Sequence, residues 1–254
     1  MAASEPESPE VDGLEQGLFS HLIELRTRLM RAVITVVVIL VALIPFANRL
    51  YTELAQPLVK RLPQGAHLIA TEVAGGFVTP LKLAFYTALF IGMPMILYQL
   101  WAFVSPGLYR NEKRLARPLL AAALLLFYLG CAFAYFLVLP AAFRFLTAVT
   151  PEGVEMMTDI SHYLDFVMLM FFAFGLCFQV PVIVVVLAAL GVVSLEQLRS
   201  GRRYAIVGAF TISAFITPPD ITSMIMLAIP MCLLYELGVL AVRWLLKPGQ
   251  TRMA

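Results

Sequence analysis

Trp101-Ala-Phe-Val-Ser-Pro-Gly-Leu-Tyr-Arg-Asn-Glu-Lys-Arg114 separates two long apolar blocks. It decides how the chain is read. Ser105-Pro106-Gly107 breaks a helix, and Arg110, Lys113, Arg114 and Arg117 follow within a few residues. Short basic connectors between apolar blocks of spanning length belong on the cytoplasmic face of a membrane. One acid, Glu112, sits among these bases. Neither Leu115 nor Ala116, three and four residues on, offers it a basic partner. It is either a solvated loop acid or a carboxylate held ready for a cationic ligand. Arginine fits a carboxylate through two parallel hydrogen bonds, whereas lysine offers a point charge, so such a site would favour arginine.

Outward from this connector the chain is overwhelmingly apolar: 61% hydrophobic and 13% charged over 254 residues. That composition excludes an ordinary soluble domain. The net charge of +2 suggests no nucleic-acid partner. The expected fold is all-α, a six-helix polytopic membrane protein forming a curved bundle with short fifth and sixth spans. Span one is expected near Ala32–Asn48, span two near Leu83–Val104, span three near Pro118–Phe143 and span four near Phe166–Val193. Span five is expected near Tyr204–Thr217 and span six near Ile221–Leu240, divided by Pro218-Pro219-Asp220. Span five at 14 residues would reach only about 21 Å, against about 30 Å of hydrocarbon. The bilayer must thin there, or a neighbour must cover the short face.

Residues 1–17 read as a disordered acidic tail, 18–243 as the membrane domain and 244–254 as a second tail. The acidic start lacks the basic region of a signal peptide, so span one is expected to stay as an anchor. Leu18, Leu22, Leu25 and Leu29 recur at helical spacing ahead of span one, with Ser20 a possible N-cap. The connector 49–79 is long enough for short helices of its own. Six spans place both termini on one side. That side, with the connectors 104–117 and 194–203, holds 13 of the 18 lysines and arginines and is therefore cytoplasmic. Pro45, Pro94, Pro140, Pro181 and Pro230 each free a carbonyl inside a span and should bend it. Cys131, Cys177 and Cys232 lie in apolar blocks and read as small buried hydrophobes. Their spacing and that of the three histidines give no metal site, and no cofactor is expected.

A series of ordered motifs resembles the TatC family, the multi-span subunit of the twin-arginine protein translocase. They are His21-Leu-Ile-Glu-Leu-Arg26, Ile69-Ala-Thr-Glu-Val73, Phe77-Val-Thr-Pro-Leu-Lys82 and Tyr98-Gln-Leu-Trp-Ala-Phe103. Pro106-Gly-Leu-Tyr109 with Glu112, Phe133-Ala-Tyr135, Phe174-Gly175, Gln179-Val-Pro181 and Thr217-Pro-Pro-Asp220 complete the set. The resemblance runs from about residue 20 to about 242. It implies a receptor subunit of the bacterial inner membrane that binds Arg-Arg signal peptides. With TatA-like and TatB-like single-span partners it would export folded proteins using the proton-motive force. It also implies a homo-oligomer within a receptor complex, in contact with membrane lipid.

By the same resemblance Glu24, Arg26, Phe103, Leu108, Tyr109 and Glu112 would bind the signal peptide, and Ile212, Ala214, Phe215 and Thr217 would dock a partner. Glu24 has a plainer reading as an i,i+4 surface pair with Arg28. Phe103, Leu108 and Tyr109 could equally be interfacial anchors. Gln179, a polar residue deep in span four, either bonds a neighbouring helix or faces a concave surface. Met224 and Asp165 depart from the family pattern, and Asp165 is expected to meet interfacial water. Two other functions would require different residues. A proton-coupled small-solute transporter should carry several ionisable groups near mid-bilayer, where Gln179 is the one polar candidate. An intramembrane enzyme should carry a nucleophile–base, acid or metal-ligand set within its spans, and no such set is legible.

Overall fold

Residues 9–52, 67–69, 74–104, 116–149, 157–216 and 221–245 are described by a computed structural model of the chain. Five stretches are long and apolar enough to cross a membrane: Leu22–Thr52, Gly75–Val104, Arg117–Phe145, Ile160–Ala189 and Met224–Leu245. They are spans one to four and span six. Span five is the helix Arg202–Ile216, whose 15 residues rise about 22 Å. At 22 residues span six is also shorter than the first four, which run to 29–31. The expected all-helical architecture with a short final hairpin is therefore present.

Helix limits exceed the apolar limits nearly everywhere. The first helix runs Pro9–Leu43, taking in residues 9–17, so that position 20, expected as an N-cap, falls within the helix instead of at its start. The second begins at Gly75 instead of Leu83, and span six extends to Leu245. Hydropathy marks what hydrocarbon will accept, whereas a helix continues until its backbone hydrogen bonds are interrupted.

The prolines explain most interruptions. Pro45 sits in a 3-10 turn, Ile44–Phe46. Pro140 follows a π-helical stretch, Ala134–Val138, which joins the helices Ala116–Phe133 and Leu139–Val149 into span three. Pro181 opens the helix Val180–Ala189, so that span four is broken at Phe178–Gln179 after Ile160–Cys177. In each case the missing N–H leaves the preceding turn to close differently. Pro94 and Pro230 instead remain inside continuous helices. Span four ends on Gly191, whose φ of 72° is the left-handed conformation that ends helices readily in glycine.

Span four is the central element. Over half of its apolar window is buried, 56%, against 11% for span one. Span one packs on span two, span three on the first half of span four, and span six on the second half; span five packs on span six. Two buried clusters result, one around Tyr163, Met170, Phe174 and Leu227, the other around Phe127, Val182, Val185 and Val242. Phe133 of the Phe-Ala-Tyr motif stacks its ring 5.6 Å from those of both Phe174 and Phe178, so two of the sequence motifs meet at one helix crossing. The long connector before span two contains a strand, β1 (His67–Ile69); most of the connector, where short helices are expected, lies outside the described residues. The strand pairs in parallel with β2 (Met157–Asp159), His67 opposite Met157 and Ile69 opposite Asp159. Asp159 then caps span four, its Oδ1 accepting from the Ser161 amide at 2.7 Å.

Candidate signal-peptide and partner surfaces

Glu24 lies on the first helix with its carboxylate partly exposed, and Arg28 reaches it one turn later. Arg28 donates through Nε at 2.9 Å and Nη2 at 2.6 Å, both to Oε1. The plain i,i+4 reading of this pair is therefore realised. It is an end-on arrangement: among the described residues Oε2 has no donor. Pairs this exposed contribute about 0–1 kcal/mol, so Arg28 is a partner that another guanidinium can displace. Arg26 is exposed on the same helix.

An open groove of about 380 Å³ runs between spans two and four. Leu97, Leu100, Trp101 and Val104 form one wall, and Leu176, Ile183 and Leu187 stand across from them. Its polar element is Gln179, which is buried and also lines the groove. The Gln179 amide donates from Nε2 to the Ala123 carbonyl of span three at 2.9 Å. Both readings of Gln179 thus hold at once. The bond across to span three fixes which end of the amide points where, and the residue still borders a concave surface.

Phe103 is half-buried and stands outside the lining of the groove, whose span-two wall is formed by Leu97, Leu100, Trp101 and Val104 around it. Leu100 and Val104 had no signal beyond being apolar. Trp101 carries a sequence signal only as one of the tryptophans enriched at membrane interfaces, which does not mark it as a groove residue. Leu108, Tyr109 and Glu112 fall outside the described residues, as does Thr217.

On span five, Ile212, Ala214 and Phe215 are all exposed, Phe215 at 87%. Tyr204 and Val207 extend this apolar face toward the start of the helix. Asp165, expected to meet only water, has a partner: Lys82 of span two donates from Nζ to its Oδ2 at 2.7 Å and to Ser161 Oγ at 3.1 Å. Met224 is half-buried at the start of span six.

The sequence model of the family described as Sec-independent protein translocase protein (TatC) matches residues 20–230. The chain is 51% identical over 237 residues to the Sec-independent protein translocase protein TatC of Escherichia coli strain K12, covering 93% of this chain and 92% of that one. The TatC of Haemophilus influenzae is 50% identical over 229 residues, 90% of each chain. A crystal structure of the twin-arginine translocase receptor TatC superimposes with a TM-score of 0.76 at 37% identity, over 89% of this chain and 100% of that one. These relatives are protein-translocase components, which leaves the small-solute transporter reading without support. Matching in sequence and fold over nearly its whole length, the chain belongs to the TatC family, the multi-pass membrane components of the Sec-independent protein translocase.

Proposed function

We propose that this protein is the core receptor subunit of a twin-arginine translocase in a bacterial inner membrane, with both termini in the cytoplasm. It binds the Arg-Arg signal peptides of folded cargo and works with TatA-like and TatB-like single-span subunits and further copies of itself, driven by the proton-motive force. It acts by binding, not by chemical catalysis.

The observation that carries this reading is the groove between spans two and four. Its span-two wall ends at Val104. Eight residues further along the chain is Glu112. An apolar trough that leads toward an acid-bearing connector suits a ligand with an apolar segment preceded by arginines. Glu24 and Glu112 are the carboxylates for the two guanidinium groups, Arg26 sets the local charge, and Phe103, Leu108 and Tyr109 anchor the rim. Glu24 must exchange Arg28 for the incoming arginine, which makes it the weaker of the two.

The test is the affinity of an Arg-Arg signal peptide for the purified protein. Glu112→Ala should weaken binding about tenfold, equivalent to about 1.4 kcal/mol, and Glu24→Ala by less. A Lys-Lys peptide should bind wild type more weakly than the Arg-Arg form. Unchanged affinity in both variants would remove the carboxylate pair from the mechanism.

A further inference from the structure

Spans five and six are not level where span five begins. Arg202, the first residue of span five, contacts Glu236 twice at 2.8 Å. The Tyr235 hydroxyl donates to the Leu198 carbonyl at 2.7 Å. These contacts hold the short helix Leu195–Ser200 and the start of span five level with Tyr235 and Glu236. Span six goes on from Leu237 to Leu245, about 13 Å further at about 1.5 Å per residue. Its exposed side chains there include Leu237, Leu240 and Trp244, suited to lipid, with Arg243 exposed in the last turn. Span four ends alongside, with Ala188 and Ala189 in one cluster with Val242. The chain therefore leaves span four near the level of Val242, turns at Gly191, and dips back before span five starts.

The dip carries charge about 13 Å short of the end of span six. The Arg202 and Glu236 side chains are 50% and 47% exposed. A half-exposed ion pair at that depth is strongly disfavoured in hydrocarbon, so a hydrated phase must reach it. Glu236 occupies Arg202. Arg199 and Arg203, three residues before it and one after it in the chain, are exposed and form no ion pair among the described residues. Arg203 lies 5.0 Å above the Tyr204 ring. Glu196 is the acid on the short helix, and the two arginines outweigh it. Beyond this notch, toward mid-membrane, Val207 and Ile206 are exposed and apolar.

We infer that Arg199 and Arg203 hold the phosphate of an anionic phospholipid, drawn down into this notch from the leaflet on the carboxyl-terminal side. Positive charge at the mouth and apolar side chains beyond it match a headgroup followed by acyl chains, which a soluble anion would leave unused. The lipid solvates the notch and lets the short fifth span sit where it does.

Native mass spectrometry of the full chain in neutral detergent tests this, titrating phosphatidylglycerol, phosphatidylcholine and inorganic phosphate. Wild type should retain phosphatidylglycerol in preference to phosphatidylcholine. Arg199→Gln and Arg203→Gln should each weaken that retention about fivefold, while Arg199→Lys and Arg203→Lys keep most of it. Arg144→Gln, at the far end of span three, should change nothing. The lysine variants separate lost charge from lost fold. Equal retention in the glutamine variants, an equal loss with Arg144→Gln, or displacement of the lipid by millimolar inorganic phosphate would each overturn the assignment.

Discussion

Gly130 of span three lies so close to span four that a Cβ on it would stand 2.6 Å from the Phe174 carbonyl oxygen. The reciprocal contact is as tight: a Cβ on Gly175 would meet the Phe127 ring at 2.6 Å. Two small residues let two backbones touch, the usual means of close helix packing in a membrane. The obstacle at Gly130 is main chain and cannot swing aside, whereas a ring can. Gly130→Ala should therefore destabilise the protein by about 1–3 kcal/mol, read as a lower unfolding temperature in detergent. Gly175→Ala should be partly rescued by Phe127→Ala, and Gly130→Ala should not be. Rescue of both, or of neither, would refute this account of the crossing.

The Lys82–Asp165 pair joins residues 83 positions apart at the ends of spans two and four. Both side chains are more than a third exposed, so the pair is screened and modest. A double-mutant cycle with Lys82→Met and Asp165→Asn should give a coupling of about 0.5–1 kcal/mol in thermal unfolding. Strict additivity would mean that the contact contributes no stability.

Orientation can be measured independently of any ligand. Cysteines placed at Ser4 and Gln250 should be shielded from impermeant thiol reagents in intact cells, and one at Gln64 should label. The assignment of 13 of the 18 basic residues to the cytoplasmic side predicts this pattern. Labelling of both termini from outside would invert the chain and move the receptor site to the wrong face.

The proposal that a partner docks on span five rests on its 15-residue length and its exposed face. Cysteines at Ile212, Ala214 or Phe215 should form disulfide cross-links to the transmembrane helix of a TatA-like or TatB-like subunit. A cysteine at Phe85, equally open on span two, should do so far less. Uniform cross-linking at all four positions would indicate random collision.

The membrane segments were legible because hydrophobic length is a strong local signal. Even span five, too short for a length criterion, was marked by Arg202-Arg203 at one end and Pro218-Pro219 at the other. Long-range pairings were not legible. Nothing near Asp165 in sequence announces Lys82, and nothing near Gln179 announces the Ala123 carbonyl. The two three-residue strands lie in polar connectors with no alternating pattern, so their pairing exists only through the helices they precede. Glu24 shows the opposite case. Its helical partner was readable from spacing alone, whereas the oxygen left open is a matter of geometry.

The parallel pair β1–β2 fastens together the two connectors that lead into spans two and four, and Lys82 with Asp165 fastens the helices just below. The groove opens between the far ends of the same two spans. The arrangement is a pair of levers pinned at one end. From Lys82 to Val104 the arm is about 33 Å at about 1.5 Å per residue, so a swing of about 5° about the pin would move the tip about 3 Å. A ligand entering at the tip would widen the trough by about 3 Å, somewhat less than the width of a methyl group, while leaving the pinned end undisturbed. The length of span two thus converts a small rotation at the clamp into a change of fit at the mouth.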